Sequence, residues 1–225
     1  MENGERTYGP AQQLLNRVFA WMTIAVGISG VTALVIAESK SVIMQNPWIF
    51  FGLLILQLII VVVLSSRILS LSYPTAQVLF IGYSILSGAT LSLIFAQYTY
   101  ASIVQVFFIA AGMFGGMAVY GAYTKTDLTQ YRSLLTMTLW GLIIAMVVNI
   151  FLGSSTLDFI TAIIGVLLFS ALTAFDIQNI QKLAMYLLGR EEDFNKIALI
   201  GALQLYLDFI NLFLFLLRMS GDRRR

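Results

Sequence analysis

Two acidic residues in the last quarter of the chain stand where carboxylates are costly. Within LYLDFINLFLFLLR, residues 205–218, Asp208 is surrounded by ten leucine, isoleucine and phenylalanine residues, and nothing within a helical turn of it is cationic. Asp176 sits in LTAFDIQNIQKL, at the end of another apolar run. Ionisable groups inside a membrane segment are expensive and are by default candidates for function. Two carboxyls in contact in a low-dielectric setting cannot both ionise cheaply, so they share one proton and titrate as a unit. The chain has no histidine and no cysteine. A response near neutral pH must then come from perturbed carboxylates or lysines, and thiolate or cysteine–metal chemistry is excluded.

Other polar groups accompany the pair. Gly201, Gln204, Asp208, Asn211 and Arg218 follow one another at steps of three, four, three and seven, which puts them on one face of a helix. Such a stripe must face protein or water, so this last helix is expected to be central. Thr173, Asp176 and Asn179 likewise share a face. Asp176 precedes Lys182 by about 9 Å of helix and Asp208 follows Lys196 by about 18 Å. The two depths reconcile if the helix of Asp176 runs on past Lys182 through MYLLG. Arg67 ends the run LLILQLIIVVVLSS, on the side of the membrane where the Asp176 helix also ends. It is either an interfacial arginine with its stem in the apolar layer or a partner for Asp176. Gln57 is a further polar group within the same run.

The chain is 59% hydrophobic and only 11% charged, where a soluble domain carries about a quarter charged residues. Seven apolar stretches, residues 18–37, 48–66, 76–96, 103–123, 134–152, 159–180 and 197–217, are each long enough to cross about 30 Å of hydrocarbon. The expectation is an all-α integral membrane protein, one seven-helix domain over residues 1–225, with a short polar N-terminal segment at 1–16 and a basic tail at 218–225. Gly112 and Gly116 in AAGMFGGMA, and Ser84, Gly88 and Ser92, suggest close helix approach. No cleavable signal is visible. Lysine and arginine placement puts the N-terminus inside, with Arg6, Arg17, Arg67, Lys125, Arg132, Lys182, Arg190 and Lys196 on the inner side and Lys40 on the outer. Arg218 and the three terminal arginines oppose that rule, unless the last span is re-entrant or the first spans set the topology alone. Glu191, Glu192 and Asp193 read as solvated loop charge. A net charge of +2 without a basic aromatic stripe argues against nucleic acid. Nucleotide loops, zincin and calcium-hand motifs are absent, and neither aspartate has the YD or GxGD setting of an intramembrane protease. No enzyme and no cofactor are expected.

The segment AFDIQNI followed by LYLDFINLFLFLLR resembles the C-terminal signature of the Bax inhibitor-1 family. LLNRVFAWM, LSSRILSLS, YSILSGATLS and YTKTDLTQYRSLL agree with it, so the resemblance covers nearly the whole chain. The short chain without a lysine-rich tail is similar to bacterial members. The resemblance implies seven helices with the C-terminal one wrapped by the other six, an inner-membrane location, and a pH-sensitive calcium leak. It also implies that Asp176 and Asp208 are the pH-sensing pair and that Arg67 latches to Asp176 when closed, with Gln57 near a position where some members have glutamate. Gln57, Gln204 and Asn211 are then candidate ion-path groups, and the aspartates transient calcium ligands. Calcium and protons are the expected small partners, beside the lipid bilayer. The rival expectation is a regulatory membrane protein acting through a partner such as a membrane-anchored AAA protease or cell-death machinery. A proton-coupled carrier lacks a visible inverted repeat.

Overall fold

Backbone inside a bilayer has no water to bond, so apolar runs of this length must close their hydrogen bonds internally as helices. The computed structural model describes residues 9–38, 46–186 and 191–222. Among them are seven helices long and apolar enough to span a membrane: α1 (Pro10–Glu38), α2 (Pro47–Arg67), α3 (Tyr73–Gln97), α4 (Tyr100–Tyr123), α5 (Arg132–Leu152), α6 (Ser155–Tyr186) and α7 (Glu191–Ser220). Arg6, Lys40, Arg190, Arg223, Arg224 and Arg225, which enter the orientation argument, lie outside the described residues.

Local chemistry sets the boundaries. Asn46, Ser72 and Thr99 cap α2, α3 and α4 by accepting from the amides of Trp48, Thr75 and Ser102, and proline stands in the first turn of α2 and α3. Gly153, at φ 60, ends α5, a conformation glycine adopts without a steric penalty. Two helices extend beyond the apolar stretches. The polar segment read as 1–16 is helical from Pro10, because Leu14, Leu15 and Val18 are buried and anchor the extra turns. The helix carrying Asp176 continues to Tyr186, past Lys182, as the depth argument requires.

The core is built around α7. It packs on α1, α3, α4 and α6 and buries Leu199, Leu203, Leu205, Tyr206, Leu212 and Leu217 almost completely. α2 and α5 stand outside, packed chiefly on α3 and α6 respectively, so the C-terminal helix is central but its immediate wall is four helices. Leu142 is the one buried residue of α5. Since lipid is as apolar as leucine, close packing rather than hydrophobic burial must hold the inner helices together. Gly88 lets α3 meet the Ser29 backbone of α1, and Gly121 lets α4 meet the Ala174 backbone of α6; an added Cβ would collide at both. Ser84 and Ser92 are buried beside Gly88, as anticipated. Gly112 and Gly116 instead face outward with open space around them. A spacing of four marks a helix face but not which face is buried, and Gly121 occupies the close contact in α4.

Gly121→Leu should therefore lower the unfolding midpoint of the detergent-solubilised protein by an amount equivalent to roughly 1–3 kcal/mol or more of overpacking strain. Gly116→Leu should leave it unchanged or slightly raised. Equal losses from the two substitutions would contradict this packing.

Candidate functional site: a carboxyl pair against the central helix

α6 and α7 run side by side and bring Asp176 and Asp208 together, with the two side chains within hydrogen-bonding reach of each other. Asp208 is 5% exposed and Asp176 is half-buried. Apart from that contact, Asp208 Oδ2 is buried without a protein hydrogen-bond partner. A carboxylate oxygen left in this position bears its full desolvation cost. A proton held between the two carboxyls removes it.

The polar stripe divides. Gly201 is buried against Val18 and Ile180, whereas Gln204 is exposed and Asn211 and Arg218 are half-buried. The less buried positions of α7 include Ile200, Gln204, Leu207, Asn211, Leu214 and Arg218, which alternate by four and three residues and form a continuous helical face. At one end of α7, the buried Lys196 reaches the Leu69 carbonyl beyond α2. At the other, Arg218 touches α5 and α6 through Met146 and Asp158. The open face is thus the one that α2 and α5 leave uncovered, and Asp208 lies at its margin. On α6 the expected face also turns outward, from Thr173, fully buried, through Asp176 to exposed Asn179.

Arg67 is exposed at the end of α2, and the ion pairs among the described residues do not include one between Arg67 and Asp176. Gln57 faces α3, where its Nε2 donates to the Leu86 carbonyl at 3.4 Å and the Thr90 hydroxyl at 3.3 Å. It holds α2 on α3. Asn211 Nδ2 donates to the Leu207 carbonyl at 2.8 Å.

Three groups supporting the site did not stand out in the sequence. Opposite the pair on α7, the Tyr206 hydroxyl lies 2.7 Å from both Ser29 Oγ and Ser87 Oγ, tying α1, α3 and α7 into one polar knot. Gln178, one half-turn beyond Asp176, accepts from the Leu128 amide and donates to the Thr126 carbonyl, both at 2.8 Å. Lys182 joins Asp127 at 2.5 Å. These two contacts strap the α4–α5 connection to α6. Gln178 carried a signal, since an amide within AFDIQNI needs a partner, but the partner is fifty residues away in the chain.

The geometry defines a class: a seven-helix integral membrane protein with a buried carboxyl pair beside its central helix. The family model described as "Inhibitor of apoptosis-promoting Bax1" matches residues 11–225, and the chain belongs to this Bax inhibitor-1 family. It is 42% identical over 217 residues to the inner membrane protein YbhL of Escherichia coli K12, covering 95% of this chain and 93% of that one. It is also 46% identical over 215 residues to an uncharacterized protein of Borreliella burgdorferi (94% and 93% covered). An uncharacterized protein of Deinococcus radiodurans is 36% identical over 219 residues (97% and 94% covered). The chain is an integral inner membrane protein.

The hydrogen bond from Lys182, reinforced by Thr129, holds the Asp127 carboxyl down at about 2. Its pairing is fully present above the ordinary carboxylate range and is lost only as pH falls through about 2. Asp127→Asn should therefore shift the melting temperature by the same amount at about pH 6 and about pH 8, well above that range. A shift that differs between the two would make this contact a pH sensor.

Proposed function

We propose that the protein is a passive calcium leak channel whose opening is set by the protonation of the Asp176–Asp208 pair. The observation that carries the reading is the meeting of two carboxyls beside the open, partly polar face of α7. The family resemblance supplies the ion. Calcium prefers six to eight oxygen ligands. Two carboxyls with the amides of Gln204 and Asn211 along the same face are too few for a storage site and suit a path of weak, successive contacts.

Arg67 is the closing element in this account. It stands at the end of α2, which is held chiefly by α3, so a modest swing of that end can bring the guanidinium to Asp176. When the pair carries a single shared proton, its net negative charge attracts Arg67 and α2 seals the mouth. A second proton removes the charge, releases Arg67 and opens the path. In this reading the mouth is cytoplasmic by the positive-inside rule, since Arg17, Arg67, Lys125, Arg132, Lys182 and Lys196 lie at or near the helix ends on the side where α1 starts.

The test is calcium flux into sealed liposomes containing only the purified protein, from about pH 6 to 8. Flux should rise on acidification. Asp208→Asn should abolish the pH dependence, and Arg67→Gln should raise flux at the alkaline end several-fold, toward the acidic level. If folded protein passes no calcium at any pH, the leak reading fails and a regulatory role through a protein partner takes its place.

A further inference from the structure

The end of α7 at Ser220 lies on the face of the membrane opposite the α2–α3 turn. A cavity of about 340 Å³ opens there, and its polar lining comes from Gln97, Tyr98, Asp158, Asn211 and Arg218. Of these, Asn211 stands nearest along α7 to Asp208, three residues or about 4.5 Å along the axis. Asn211 Nδ2 donates to the Leu207 carbonyl, and its amide oxygen is the acceptor this residue can offer a cation. A carboxylate from Asp158 and this oxygen give the cavity the hard-ligand character that suits a divalent cation.

A cationic side chain already occupies that position. Arg218 is paired with Asp158, lies over the Phe215 ring at 5.5 Å, and places Nη1 3.5 Å from Met146 Sδ. The pair is about one-third exposed on each side, with side-chain exposures of 30% and 32%, so it is solvated enough to be displaced. The helix end beneath it is fixed. The Thr99 amide donates to the Asp222 carbonyl at 2.9 Å, and the Asp222 amide donates to Ser102 Oγ at 3.0 Å. With the backbone strapped to the start of α4, clearing the cavity requires only that the arginine side chain rotate.

We propose that Arg218 is a tethered cation that closes the C-terminal face of the path, and that a divalent cation arriving from that face displaces it from Asp158. This rests on the leak reading for its purpose but not for its geometry. The protein then has an arginine at each mouth, Arg67 and Arg218, and the carboxyl pair between them. The two closures differ in what moves: a helix end at the first, one side chain at the second.

The absence of cysteine gives a direct test. Asn211→Cys is placed in the full chain, reconstituted in sealed vesicles, and treated from the C-terminal face with a membrane-impermeant trimethylammonium thiosulfonate. Modification should be slow, and adding Arg218→Gln should speed it roughly tenfold or more, as loss of a like charge in a narrow cleft dictates. Adding Asp158→Asn instead frees the arginine but leaves its charge, so a neutral reagent should react faster while the cationic one stays slow. Millimolar calcium should accelerate the neutral reagent with Arg218 and Asp158 both in place, while the cationic one stays slow. Rates unaffected by Arg218→Gln, or a calcium effect that survives Asp158→Asn, would overturn the proposal. Gated labelling in a protein that passes no calcium would sink the leak reading and leave this closure standing.

Discussion

A carboxyl group within the hydrocarbon layer is tolerated only where protein or trapped water faces it, and this chain carries two of them on adjacent helices. That requirement organises the bundle. Asp208 can be buried only if α7 is interior, and α7 can be interior only if α1, α3, α4 and α6 close around it. The close approaches at Gly88 and Gly121 bring those helices near enough to do so. The hydroxyl knot of Tyr206, Ser29 and Ser87 fixes α7 from the side away from the pair. The contact between Asp176 and Asp208 is therefore held by a rigid inner group of helices, whereas α2 and α5 add to it from outside.

That division bears on function. The inner helices fix the distance between the carboxyls, so protonation changes charge rather than forcing a large rearrangement of the core. The outer helices leave one face of α7 uncovered, and α2 carries the exposed Arg67 at its C-terminal end. In the proposed leak, a charge change at the centre of the bundle is read by an outer helix. Lys196, buried and paired with Glu192 while reaching the Leu69 carbonyl, marks how near the α2–α3 turn stands to the start of α7.

Much of this was legible in the sequence, and the reason is the solvent. A bilayer admits only helices as isolated spans, so each apolar run maps to one helix and the seven runs locate the seven helices within a few residues, except where polar helical turns protrude. The carboxyl pair was legible because the depths of Asp176 and Asp208 could be counted from one loop. What periodicity cannot give is which neighbour a face meets. Gln204 shares the face of Asp208 by spacing yet is exposed, and Gly112 and Gly116 have glycine spacing without a partner helix. Arg218 read as part of a basic tail, but its partner Asp158 comes from the start of the preceding helix. Contacts between distant segments decide these cases, and a single sequence does not record them.

The central claim is that one proton inventory, shared by Asp176 and Asp208, governs the path. Difference infrared spectroscopy of the reconstituted protein across about pH 6 to 8 reads carboxyl protonation directly, with isotope-labelled aspartate to assign the band. The account predicts a protonated-carboxyl C=O band that changes over the same pH interval as calcium flux and disappears from that interval in Asp208→Asn. A spectrum in which no aspartate changes protonation while flux responds to pH would contradict it.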